Sequence, residues 1–148
     1  MIPLATAHNV TTDKLATLDP IFRKRVIEWR AACLLEGLEP YIYEGLRTSK
    51  RQNELYAIGR TIHKGKAKVT NAKAGQSMHQ YGIAFDFVPL KRAKAEGMWE
   101  ADWSEKAYAP YHKIAAKFGL RKLSWETPHL EDATCADWRA AARLYPSA

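Results

Sequence analysis

Apolar residues recur at helical spacing in one stretch above all: Phe22, Val26, Trp29 and Cys33 lie between Asp19-Pro20 and Gly37. A capping residue before proline at the first helical position is a start signal and glycine is a stop, so the pattern predicts an amphipathic helix with those four side chains inward. An earlier short helix is expected around Asp13 to Leu18, with Thr12 as its cap. After Pro40, the run Tyr41-Ile42-Tyr43-Glu44-Gly45-Leu46-Arg47 has the aromatic and branched composition of a strand. Ser49-Lys50-Arg51-Gln52 has the form of a capping box and predicts a short helix through Leu55, Tyr56 and Ile58 to Gly59.

From Arg60 to Gln76 no periodicity is usable, and a long basic loop is expected, of a length that often carries function. Ile83 to Val88 reads as a buried strand closed by Pro89, followed by a polar connection from Lys91 to Asp102. A helix starting at Ser104 and restarting at Pro110 carries the apolar stripe Tyr111, Ile114, Ala115, Phe118 up to Gly119. Leu120 to Trp125 resumes extended structure, and Pro128 argues against a helix through Glu126 and His129 because it lacks an amide donor and restricts its predecessor. Thr134 with Asp137 caps a last helix carrying Trp138, Ala142 and Leu144. These elements predict one small α+β domain over residues 1–148, with helices packed on an antiparallel sheet.

At 148 residues, 47% hydrophobic and 26% charged, the chain is long enough for a core without cross-links, and no apolar run nears the length of a membrane span. Stable membrane insertion is not expected. The N-terminus lacks the basic and apolar regions of a secretory signal, so synthesis in the cytoplasm is expected. Cys33 and Cys135 are too few for a disulfide framework and are expected to be free. The net charge of +7 predicts attraction to polyanions. No helix-turn-helix or RNA-binding signature accompanies it, so nucleic acid is not an expected partner. The chain is expected to be a monomer.

The chemistry concentrates in Ser77-Met78-His79-Gln80-Tyr81-Gly82-Ile83-Ala84-Phe85-Asp86 and, some forty residues on, Glu126-Thr127-Pro128-His129. Two imidazoles, a carboxylate ligand and a spare carboxylate make the inventory of a hydrolytic zinc site, which takes three protein ligands and leaves a fourth position open. His79 and Asp86, seven apart, cannot share a helical face, but a turn at Gly82 leading into a strand can bring both inward. Asp86 inside a sheet would be costly alone, so a compensating group is required.

The pattern Ser-x-His-x-x-Gly-x-Ala-x-Asp followed by Glu-x-Pro-His resembles the M15 metallopeptidase family of D-alanyl-D-alanine carboxypeptidases, D,D-dipeptidases and phage L-alanyl-D-glutamate endolysins. Arg47-Thr48, Gly59-Arg60-Thr61 and Val69-Thr70-Asn71-Ala72 are similar to further pieces of the endolysin-type members. The resemblance implies a D,D-peptidase-like fold with a zinc cleft, one zinc ion held by His79, Asp86 and His129, and Glu126 as general base. It further implies that Arg47 stabilises the oxyanion and that Ser77 contacts substrate, although Arg47 could instead be an ion-pair partner and Ser77 could hold the local turn. Gln80 and Tyr81 are expected to line the cleft, and Glu131 to support His129. His8, His63 and His112 match no ligand position. The glycine-rich tryptophan segment that many endolysin-type members carry before the acid-x-Pro-His motif is missing between Gly119 and Trp125, which points to a shorter cleft wall. The implied partner is the peptide stem of bacterial peptidoglycan, reached from the host cytoplasm after membrane permeabilisation and cut between L-alanine and D-glutamate. A D-alanyl-D-alanine carboxypeptidase with the same site, or a basic binding module with structural zinc, are the alternatives.

Overall fold

A computed structural model describes all of residues 1–148. The chain runs β1 (Ile2–Pro3), α1 (Leu4–Leu15), α2 (Pro20–Leu35), β2 (Glu39–Glu44), α3 (Ser49–Ala57), β3 (Ala84–Arg92), β4 (Met98–Ala101), α4 (Glu105–Ala115), β5 (Leu120–Leu123), β6 (Glu126–Asp132) and α5 (Trp138–Leu144). Short 3-10 turns at Met78–Tyr81 and Ala116–Phe118 complete it. All strand pairs are antiparallel, in the order β1-β4-β3-β6-β5, with β2 on the other edge of β3. The expected α+β architecture of helices on an antiparallel sheet is what forms. No helix is long and apolar enough to cross a membrane.

Strand β3 organises the sheet. One of its edges pairs with β2, and the other is divided between β6, which meets Ala84 to Asp86, and β4, which meets Leu90 to Arg92. Pro89 therefore does not close the strand, contrary to the sequence expectation. The Pro89 carbonyl accepts from the Asp102 amide at 2.8 Å, and its missing N–H falls on the same edge, at the end of the β3–β4 ladder where β6 gives way to β4, so the strand continues through it. The stretch Lys91 to Asp102, expected as a plain connection, contains β4 and turns back as a hairpin that also pairs with β1.

Side chains alternate along β3. Phe85 and Phe87 point to the helical layer, where Trp29 of α2 sits 5.3 and 5.0 Å from their rings and Tyr108 and Tyr111 of α4 sit 5.1 and 5.5 Å from Phe87. Phe22, Val26, Trp29 and Cys33 are all fully buried, as their spacing requires. The Trp29 indole donates to the Tyr111 carbonyl at 3.1 Å, which ties α2 to α4 and satisfies the buried N–H. Ala84 and Asp86 point to the opposite face, and that is where the polar site is assembled.

Several local expectations are corrected. Helix α1 starts at Leu4, so Thr12 lies inside it and caps nothing. Its inward positions are Ala7, Thr11 and Leu15, and the Thr11 hydroxyl accepts from the Ile42 amide at 3.2 Å. The capping box does not form: Thr48 caps α3 by accepting from the Arg51 amide, while Ser49 and Gln52 bond elsewhere. Helix α4 is continuous through Pro110 from its Ser104 cap. Asp137 caps α5 by accepting from the Ala140 amide, and Thr134 instead donates to Asp132. Asp19 caps α2 as expected, and both cysteines are free.

The end of β2 reaches the site because Gly45 has no side chain. A Cβ there would lie 2.5 Å from the Thr17 hydroxyl and 2.8 Å from the Lys14 carbonyl, so the chain could not pass the end of α1. Gly45→Ala is expected to cost about 1–3 kcal/mol, the usual range for overpacking, measured as a lowered midpoint in denaturant unfolding.

Candidate metal centre

Asp86 and His129 are directly opposite residues in the β3–β6 pair, so sheet register alone puts their side chains together on one face. His79 arrives from the 3-10 turn Met78–Tyr81, which Ser77 caps by accepting from the His79 amide at 3.3 Å. The three ligand-type atoms form a near-equilateral triangle: His79 Nε2 to Asp86 Oδ1 is 3.2 Å, His129 Nδ1 to Asp86 Oδ1 is 3.4 Å, and His129 Nδ1 to His79 Nε2 is 3.2 Å. A tetrahedral ion with ligands about 2.0–2.1 Å away separates them by about 3.3–3.4 Å, so the triangle has the dimensions that zinc requires.

The partners of the outer ring nitrogens assign the tautomers. His79 Nδ1 lies 2.9 Å from the Gly45 carbonyl and must carry its proton there, which leaves Nε2 as a lone pair facing inward. His129 does the reverse, with Nε2 donating to Glu131 Oε1 at 2.8 Å and Nδ1 facing inward. Two nitrogen lone pairs and a carboxylate oxygen thus confront one another in a buried place. That arrangement is repulsive unless a cation or a proton lies among them, and His79, Asp86 and His129 could together hold a divalent transition metal.

Electrostatics agree. Burial pushes the Asp86 carboxyl up, but the imidazoles of His79 and His129 overcome it and hold the group well below the ordinary carboxylate range. Burial pushes the His129 imidazole down, but the hydrogen bonds it donates to the Asp86 and Glu131 carboxylates raise it to about 9. Without metal, a proton on His129 takes the place of the cation.

Arg47, beyond the end of β2, is an ion-pair partner in this arrangement. Its Nε donates to Glu44 at 2.7 Å, Nη2 lies 3.5 Å from Asp86 Oδ2, and Nη1 donates to Gln52 at 2.9 Å. Gln52 is fully buried and passes the connection on by donating to the Ala72 carbonyl at 2.6 Å. Sequence reading missed this role, because Gln52 also fits the third position of a capping box. Glu131 is placed where its two-residue spacing from His129 suggested, and it is held in turn by an ion pair with Arg121, which also donates to the Cys135 carbonyl at 2.9 Å.

A cavity of about 690 Å³ opens onto His129 and Glu131. One wall is loop 69–72 with Gln76 and Ser77, and the other is the β5–β6 hairpin with Leu123, Trp125 and Glu126. Glu126 is exposed within it, and its charge, with that of Asp86, adds to the burial that raises the Tyr43 phenol. Only Ser124 and Trp125 separate β5 from β6, so the hairpin wall is short.

Gln80 and Tyr81 do not line the cleft, contrary to expectation. The 3-10 turn rotates successive residues by about a third of a circle, and with His79 facing the site, Gln80 and Tyr81 turn away from it. Gln80 is fully buried, accepting from the Gly75 amide and donating to Ser49, and the Tyr81 hydroxyl donates to the Gly75 carbonyl at 2.6 Å. Both pin the loop behind the site. His8 bonds Glu39, His112 lies 3.0 Å from the Thr127 carbonyl, and His63 is exposed, so none joins the centre.

Fold and site together define a domain in which an antiparallel sheet presents a three-ligand metal-type centre beside a cleft carboxylate. The D-alanyl-D-alanine carboxypeptidase family model, VanY, matches residues 16–138, and the chain belongs to that family. It is 38% identical over 129 residues to the peptidoglycan L-alanyl-D-glutamate endopeptidase CwlK of Bacillus subtilis (strain 168), covering 77% of this chain and 72% of that one. The vancomycin-resistance D,D-pentapeptidase VanY, solved in complex with Zn(II), shares the fold with a TM-score of 0.58 at 20% identity, over 86% of this chain and 78% of the other. The LD-carboxypeptidase LdcB does so with a TM-score of 0.55 at 24% identity, over 83% and 67%.

Three outcomes follow from the centre. Because a metal must displace the His129 proton, apparent zinc affinity measured by competition titration should rise about tenfold per pH unit and level off above about 9. In the metal-free chain the sign is opposite: the stability that protonated His129 contributes is full below its unfolded pKa near 6.5 and is lost as pH rises through about 9. Glu131→Gln should weaken zinc binding about 10–100-fold while the fold persists by circular dichroism.

Proposed function

We propose that this protein is a zinc-dependent peptidoglycan peptidase that hydrolyses the L-alanyl-D-glutamate bond of the peptide stem, in the manner of a phage endolysin. The observation that carries the reading is the joint presence of the His79–Asp86–His129 triangle and a carboxylate, Glu126, free in the adjoining cavity. A purely structural metal site has no use for such a carboxylate. The choice of bond follows the similarity to CwlK, which extends over most of both chains.

His79, Asp86 and His129 would hold one zinc ion. Bound zinc supplies a Lewis acid and acidifies a water toward neutrality. Glu126 takes the proton of the attacking water and returns it to the leaving amine, a role that requires it to stay solvent-facing and unpaired, as it is in the cavity. Arg47 positions Asp86 through its guanidinium and leaves the remaining guanidinium N–H groups for the developing oxyanion. Ser77 contacts the stem peptide in this reading, supported by its lining the cavity, while its hydroxyl also holds the turn that carries His79. The substrate is the peptidoglycan stem in the cell envelope, and the enzyme acts there as a monomer.

Digestion of purified muropeptides, read by mass spectrometry, tests both the class and the bond. Release of muramyl-L-alanine with a stem beginning at D-glutamate is expected, with loss of activity on chelation and recovery with zinc. Release of terminal D-alanine alone would replace this reading with a D-alanyl-D-alanine carboxypeptidase. Glu126→Ala should lower kcat by about 10²–10⁴-fold with zinc content unchanged, and activity retained by that variant would sink the mechanism.

A further inference from the structure

Much of the net positive charge of this protein lies in one segment. Between Glu54 and Asp86 there is no acidic residue, and the segment holds Arg60, Lys64, Lys66, Lys68 and Lys73, five charges against a net +7 for the whole chain. Arg60 is used internally: it donates to the Tyr56 and Thr70 carbonyls and to Asn71, and lies over the Tyr56 ring at 3.8 Å. The four lysines are exposed and enter no ion pair.

They are also displayed on a formed loop. Gly59, at φ +79°, packs so closely on this segment that a Cβ would lie 2.7 Å from the Lys66 carbonyl and 3.0 Å from the Lys68 amide. The Gly59 amide donates to the Ile62 carbonyl at 2.9 Å, and Gln52 holds the Ala72 carbonyl further along. Residues 69–72 of this loop are a wall of the cavity beside Glu126. Lys68 directly precedes this wall, and Lys64 and Lys66 lie just before it on the same loop, with nothing of opposite charge nearby in sequence.

We infer that Lys64, Lys66 and Lys68 form a second binding surface that retains the enzyme on its polymeric substrate, by pairing with the carboxylates of stem peptides adjacent to the one being cut. This inference rests on the peptidoglycan reading above. The occupant is argued from charge complementarity and from position: a polymer whose stem enters the cavity must lie along the loop that forms its wall, and each neighbouring stem carries free carboxylates. Such pairing raises the local concentration of substrate without touching the reacting atoms, and it is screened by salt.

The test compares two variants of equal net charge. In one, Lys64, Lys66 and Lys68 are changed to Gln; in the other, the exposed Lys24, Lys94 and Lys117, away from the cavity, are changed to Gln. Binding is read by co-sedimentation with purified insoluble sacculi, using the Glu126→Ala background so that the wall survives. Cleavage is read separately, with Glu126 intact, as kcat/KM on a soluble L-alanyl-D-glutamyl stem peptide. The loop variant should lose about tenfold in sacculus affinity and most of its salt dependence, the distant variant should bind like the parent, and all should cleave the soluble peptide within about twofold of one another.

Equal weakening of both variants would reduce the effect to net charge and overturn the inference, as would unchanged sacculus binding by the loop variant. A matching fall in soluble-peptide cleavage would also overturn it, by making the lysines part of the catalytic cleft. Loss of duplex DNA binding with sacculus binding intact would assign the surface to nucleic acid instead. If the parent fails to cleave the soluble peptide at all, the proposed function fails, whatever the sedimentation shows.

Discussion

Three acceptors that face one another, His79 Nε2, His129 Nδ1 and Asp86 Oδ1, are the constraint around which the molecule is arranged. Left alone in a buried setting they repel, so the fold must force them together and a cation or proton must hold them there. Much of the chain serves the first requirement. Antiparallel register sets Asp86 opposite His129. The packing of Phe85 and Phe87 against Trp29 fixes which face of β3 is inward, and therefore that Asp86 faces the site. A one-residue slip of β3 would exchange the phenylalanines for the carboxylate and lose both core and centre.

The orientation of the ligands comes from groups that are not ligands. A backbone carbonyl at Gly45 and a carboxylate at Glu131 each take the outer proton of one imidazole, and the two choices are opposite, Nδ1 for His79 and Nε2 for His129. Glu131 is in turn anchored by Arg121, whose other contacts reach the Cys135 carbonyl, so the ligand and the chain leading into α5 share one guanidinium. On the opposite side Arg47 and Gln52 connect Asp86 to the loop at Ala72. The centre is thus braced from both cleft walls, and a shift in either wall is transmitted to a ligand.

What could be read from the sequence divides along physical lines. The four residues of the α2 stripe are apolar and recur at helical spacing, which predicts the helix and its buried face, while Asp19-Pro20 predicts its cap. Helix α1 was misplaced because its inward positions, Ala7, Thr11 and Leu15, include a small residue and a hydroxyl that leave little apolar contrast. Strand β4 was missed because it is four residues long and partly exposed, with pairing rather than burial defining it. That His79, Asp86 and His129 belong together was legible in spacing and resemblance, and the structure brings the three into one cluster. Gly45, whose carbonyl accepts from His79, and Gln52 as a bridge were not legible, because each acts through a tertiary contact with no local pattern. Gln80 and Tyr81 were misread for the opposite reason: adjacency to His79 in sequence suggested adjacency in function, and a 3-10 turn sends neighbours in different directions.

The misread pair explains how an irregular wall can be shaped at all. Loop 60–76 has no ladder of its own, so several of its backbone groups are satisfied by side chains. Gln80 takes the Gly75 amide, Tyr81 gives to the Gly75 carbonyl, Gln52 gives to the Ala72 carbonyl and Arg60 gives to the Thr70 carbonyl. Two of these four side chains come from the turn that carries His79, and a third bonds the arginine beside Asp86. The wall that faces substrate is therefore built from the same short segments that place the ligands. A change at one of these anchors would therefore reach both the wall and the residues of the centre, as the shared contacts of Gln52 with Arg47 and the Ala72 carbonyl show.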